Sequence, residues 1–120
     1  PSHGQTFLRD GVITDESMQQ LSDDLEELSI RGSSGYGIDR VTDEGIKHLR
    51  RCKKLRVLEA VSLGLTDQSL DVIATLTELE ELSLNGNQIQ GTNLRKLGSL
   101  KKLKKLNISF NPIRNDWASV

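Results

Sequence analysis

The chain has little of several things. Of its 120 residues only 3% are aromatic, namely one Trp, one Tyr and two Phe, and there are two Pro and one Cys. The solitary Cys52 excludes an internal disulfide framework. Together with the small size, this points to a reducing, intracellular setting, cytoplasmic in the first instance. No apolar run approaches the ~20 residues of a membrane span, and no leader pattern is visible at Pro1. The near-absence of aromatics argues against a base-stacking nucleic-acid surface. His3 and His48 have no Cys or paired acid at ligand spacing, so neither a zinc site nor any other cofactor is expected. No Ser-His-Asp or Cys-His arrangement can be assembled from the spacings, so an enzyme is not expected either.

What the chain has is repetition. LxxLxL strings begin at Leu25, Leu55, Leu79 and Leu103, in steps of 30, 24 and 24 residues, with Ala60 closing the second string. A fixed period in this range signals a solenoid, whose units bury their apolar faces only by stacking on neighbours. A second set runs in phase: Ile13–Leu21, Val41–Leu49, Leu65–Ile73 and Ile89–Leu97. Each unit therefore reads as strand, turn, buried aliphatic, helix and return. Leu79, Leu82 and Leu84 alternate with Glu81 and Ser83, the period-2 pattern of a strand with one buried face. Asn87 falls in the turn, where its amide can bond backbone groups of adjacent coils. Helix starts are marked by Thr14-Asp15, Thr42-Asp43 and Thr66-Asp67, Thr or Asp capping the first N–H groups.

The units are not uniform. Six extra residues separate the strand and helix strings of the first full unit, in or near Gly32–Gly37. Residues 4–9 read either as an imperfect edge strand or as the remnant of a coil that begins further upstream. At the other end Trp117 is placed to cover the last coil. The expected architecture is one α/β domain over 1–120, with about four to five coils. They comprise an irregular coil at 4–24, repeats at 25–54, 55–78 and 79–102, and a last strand and cap at 103–120.

The repeat resembles the leucine-rich repeat family, over residues 6–113. LEELSLNGNQI (Leu79–Ile89) and LKKLNISFNPI (Leu103–Ile113) match its LxxLxLxxNxI segment in full. Cys52, three residues before Leu55, and the Ile13-Thr14-Asp15 and Val41-Thr42-Asp43 strings are similar to the cysteine-containing subclass. The resemblance implies a right-handed horseshoe arc with a parallel sheet on the concave side and helices outside. It also implies partner-protein binding through the concave sheet, and, for the subclass, the substrate-receptor part of a ubiquitin ligase.

The candidate site follows from the strand alternation. Outward positions are Glu27, Ser29 and Arg31; Val57, Glu59 and Val61; Glu81, Ser83 and Asn85; and Lys105, Asn107 and Ser109. Val57 and Val61 are expected to be exposed aliphatics ringed by Glu27, Glu59 and Glu81, an apolar centre with a charged rim. The alternative is a merely solvated face. Tyr36 on the glycine-rich loop is a second candidate contact, against a tolerated surface insertion. Cys52 reads as a small buried residue.

Charge divides along the chain. Residues 1–45 carry 3 bases against 10 acids, and residues 94–120 carry 7 against 1. Sequence order is spatial order in a solenoid. A head-to-tail contact between Asp23, Asp24, Glu26 and Glu27 of one copy and Arg95, Lys96, Lys101, Lys102, Lys104, Lys105 and Arg114 of another is therefore open, as structural assembly or as a seam with a neighbouring domain.

Overall fold

The computed structural model describes residues 5–6, 12–32 and 39–114. Tyr36, Trp117, His3 and Leu8 lie outside these, and so does most of the Gly32–Gly37 insertion. One parallel sheet runs in strict sequence order: β1 (Gln5–Thr6), β2 (Leu25–Arg31), β3 (Val57–Val61), β4 (Glu81–Ser83) and β5 (Lys105–Asn107). Parallel neighbours require a crossover. Here the crossovers are short helices: α1 (Asp15–Met18), α2 (Asp43–Ile46) continuing into a 3-10 turn at Lys47–Arg51, and α3 (Asp67–Ile73). In the last full coil only a 3-10 turn, Leu94–Ser99, is formed.

The sheet register is the repeat alignment itself. Leu28 faces Leu58, Leu58 faces Leu82, and Leu82 faces Leu106. Leu28, Leu58 and Leu82 and the helix aliphatics Met18, Ile46, Leu49, Leu70 and Ile73 form one continuous core. The LxxLxL pattern that each coil repeats is thus converted into stacked layers, no coil being large enough to enclose its own leucines. The imperfect edge strand is present as β1, with a register shift between Gln5↔Leu25 and Thr6↔Glu27.

Three kinds of link join one coil to the next. In the turns, buried Asn87 accepts from Leu63 N and Leu65 N (2.9 and 3.1 Å) and donates to Ala60 O and Leu84 O (both 2.8 Å). Asn111 repeats this one coil on, accepting from Ile89 N and donating to Leu84 O and Ile108 O. Leu63 occupies the equivalent place in the second coil. In the first, Asp39 takes over: it is 3% exposed and accepts from Ile13 N and Arg31 N, both at 2.9 Å. A buried carboxylate is tolerable there because backbone N–H groups satisfy it.

On the helical side the expected division of labour changes. Thr14, Thr42 and Thr66 cap their own helices, accepting from Ser17 N, Glu44 N and Gln68 N. The neighbouring aspartates reach forward instead. Asp15 accepts from Thr42 N and Oγ1, and Asp43 from Thr66 N, Thr66 Oγ1 and Ser69 Oγ. Asp67 accepts from Gln90 N, Gly91 N and Asn93 N at 2.7–3.1 Å. Each is a strut to the following coil. Gly45 shows how tightly the first strut fits: a Cβ there would stand 2.2 Å from Asp15 Oδ1.

The third link is a bend shared by successive coils. Ser62, Gly86 and Phe110, 24 residues apart, all adopt left-handed backbone, with φ of 56°, 71° and 59°. Only glycine does so without strain.

Candidate functional site

Strand register assembles the outward residues into three rows on one face of the sheet. Glu27, Val57, Glu81 and Lys105 form the first, and Ser29, Glu59, Ser83 and Asn107 the second. Arg31 pairs with Val61 at the start of the third, which continues towards Asn85 and Ser109. All twelve concave positions read from the sequence thus lie on neighbouring strands or their ends, about 4.8 Å apart from strand to strand.

Val57 and Val61 differ from expectation. Both are half-buried rather than exposed. Each sits in register with longer side chains on adjoining strands, Val57 between Glu27 and Glu81 and Val61 beside Arg31. The large exposed apolar side chains among the described residues are Val12, Leu106, Phe110 and Ile113. Three of these belong to the last coil among the described residues.

The charges of the face divide into committed and uncommitted groups. Glu59 accepts from Ser29 Oγ (3.0 Å) and Arg31 Nη2 (3.1 Å). Glu27 is held by Arg56 at 2.9 Å. Glu81 and Lys105 lie opposite each other on β4 and β5 yet form no ion pair among the described residues. Between them and Val57 is an open hollow of about 240 Å³, lined also by Glu59, Ser83, Asn107 and the backbone-bearing leucines Leu58, Leu82 and Leu106. Asn85 Oδ1, at the margin, is a buried oxygen without a hydrogen-bond partner among the described residues.

The remaining sequence candidates resolve as follows. Cys52 is fully buried, and its Sγ donates to Ser22 O of the preceding coil at 3.6 Å. Burial pushes the thiol above its ordinary 9.0; Arg51 pulls it down less strongly, and Asp23 adds to the rise. A protonated thiol at neutral pH is a poor nucleophile. His48 is half-buried on the helical side. Among the described residues no three His, Cys, Asp or Glu side chains converge as a metal site, and no helix is long and apolar enough to cross a membrane.

Two structural roles escaped the sequence reading. Asp39 was findable, because it precedes Val41 by the same two places that separate Asn87 from Ile89. The forward reach of Asp15, Asp43 and Asp67 had no such signal, since Asp in the first helical turn is also favoured by the helix's own N–H groups.

One parallel strand per coil, a helical return on the opposite side and amide ladders in the turns define a repeat solenoid, a class of scaffold whose long open face receives other molecules. A profile of two leucine-rich repeats matches residues 77–118, and the coil geometry carries the same pattern back to Leu25. Residues 77–118 thus carry two leucine-rich repeats, and leucine-rich repeat proteins commonly mediate protein–protein interaction. Among solved structures it is similar to an internalin (inlF) from Listeria monocytogenes (22% identity, TM-score 0.48), over 78% of this chain and 31% of that one. It is similar also to the leucine-rich repeat ectodomain of the receptor kinase SOBIR1 from Arabidopsis thaliana (15% identity, TM-score 0.46), over 85% of this chain and 68% of that one. The chain thus spans about a third of the internalin it matches. No curated protein sequence matches it significantly.

Proposed function

We propose that the chain is a non-enzymatic interaction module, a single repeat domain over 1–120, that holds a partner protein on its concave sheet inside the cell. The observation that carries this reading is the hollow between Val57, Glu81 and Lys105. It lies within the grid of outward strand residues and contains Glu81 and Lys105, which form no ion pair among the described residues. A half-buried aliphatic floor with an uncommitted acid and base on its walls offers a partner both apolar contact and a fixed electrostatic register. Glu27, Ser29, Arg31, Glu59, Val61, Ser83, Asn85, Asn107 and Ser109 extend the contact around it. A substrate-receptor role in a ubiquitin ligase is a narrower form of the same reading, supported only by the cysteine-type front repeats.

Self-assembly through oppositely charged ends is less favoured. Asp23, Asp24, Glu26 and Glu27 already face Arg51, Lys54 and Arg56 of the next coil at 2.9–3.4 Å.

A photo-crosslinking residue at Ser83 tests the site in living cells. It should capture a partner that the same residue at Gln68, on the helical side, does not, and the Val57→Glu/Val61→Lys variant should lose that capture. Retention of the same partner by a folded double variant would place binding elsewhere.

A further inference from the structure

The ion pairs between coils follow a rule. Asp24-Leu25-Glu26 stands beside Lys54-Leu55-Arg56, which stands beside Glu78-Leu79-Glu80, which stands beside Lys102-Leu103-Lys104. The sign therefore alternates at every coil. Asp24–Lys54 and Glu26–Arg56 close at 3.0 and 3.3 Å, Arg56–Glu80 at 3.7 Å, and Glu78–Lys102 and Glu80–Lys104 at 2.7 and 3.8 Å. Arg56 shows what an interior base does: it is flanked by Glu26 and Glu27 on one side and by Glu80 on the other. Lys104 has Glu80 on one side only among the described residues. Lys102 is held up from its ordinary 10.5 by the hydrogen bond and charge of Glu78 and stays a full cation.

The same edge is unfinished in two other ways. β5 is the last strand of the sheet and pairs with no strand on its outer side among the described residues. In a parallel ladder alternate residues face alternate neighbours. Leu84 N donates to Asn107 O, so Asn107 faces β4 and Leu106 turns its backbone groups outward. Next to it, Leu106, Phe110 and Ile113 are 46%, 86% and 37% exposed.

We propose that the outer edge of β5 docks an extended segment of another protein bearing an acid–aliphatic–acid sequence, added as a sixth parallel strand. Main-chain pairing with Leu106 would supply affinity. The two acids, opposite Lys102 and Lys104, would set register and direction, continuing the alternation. Strand addition of this kind is separate from the concave hollow and needs none of its charges. A second copy of the chain is the poorer occupant: the strand it would present is β1, where residues 4–6 are Gly, Gln and Thr, without an acid.

The chain's own segments serve as probes. Capped peptides DLEELSI (residues 24–30) and KLKKLNI (residues 102–108) are titrated into the isotope-labelled protein and followed by amide NMR shifts. The acidic peptide should bind at least about tenfold more tightly and shift the amides of Lys104–Ile108. The Lys102→Glu/Lys104→Glu variant should invert the order of the two peptides. Lys102→Gln/Lys104→Gln should erase the preference, which guards against a variant that fails to fold. The proposal fails if neither peptide binds at millimolar concentration, if both bind equally, or if shifts appear only at Val57–Val61 and Glu81–Asn85. It also fails if sedimentation shows the protein dimerising through this edge and excluding the acidic peptide.

Discussion

Replacing Asn87 with Ala should remove about 3–4 kcal/mol of stability. Asn87 is 1% exposed and makes four hydrogen bonds of 2.8–3.1 Å, all to backbone groups. A typical protein hydrogen bond contributes about 1 kcal/mol net, and a buried group left unpaired loses about 1–3 kcal/mol. Four lost bonds give roughly 4 kcal/mol, reduced where a water enters the vacated space and restores one or two of them. Asn87→Leu refills the volume but keeps water out, so it should do no better than Ala, even though Leu63 occupies the equivalent place one coil earlier. Against total stabilities of about 5–15 kcal/mol the effect is large. Urea unfolding followed by far-UV circular dichroism would measure it, given an unchanged slope against urea concentration. A loss below about 1 kcal/mol in both variants would show that the turn amide is not what binds these coils together.

Two further outcomes follow from other inter-coil links. Asp67→Ala should lower stability by about 2–3 kcal/mol, since three N–H groups lose a charged acceptor, and hydrogen exchange should rise first in residues 90–99. Equal exchange across all coils would contradict the strut. For Cys52 the folded pKa is raised, so the folded state keeps its proton where the unfolded chain releases it. Stability relative to Cys52→Ala should be constant below pH ~9 and fall as pH rises through the folded value. Alkylation of the native thiol should be about a hundredfold slower than in urea, and comparable rates would refute its burial.

The fold was legible because the chemistry that builds it is periodic. Leu28, Leu58, Leu82 and Leu106 are aligned in the sequence and stand in register in the sheet. The outward residues follow from the same alternation. What the alignment could not supply was how far each outward side chain reaches. Val57 and Val61 are apolar at positions that alternate outward, yet their burial depends on neighbours 24 and 30 residues away. The aspartate struts were hidden for a related reason, because a local preference and a long-range bond demand the same residue at the same place. The fourth coil's change from α-helix to a 3-10 turn accompanies the loss of Thr-Asp, whose places are taken by Gln90-Gly91, and Asn93 at the start of the turn makes no side-chain cap.

The struts all point one way. Asp15, Asp43 and Asp67 each accept from the coil that follows. The last 3-10 turn, with no cap of its own, borrows its acceptor from Asp67. Through these carboxylates an earlier coil serves a later one, whereas the turn side chains Asp39, Asn87 and Asn111 reach back to the coil before. A chain emerging from the ribosome meets this requirement in the order it is made: each carboxylate is already in place when the amide groups it will receive, some 23–27 residues later, become free to fold.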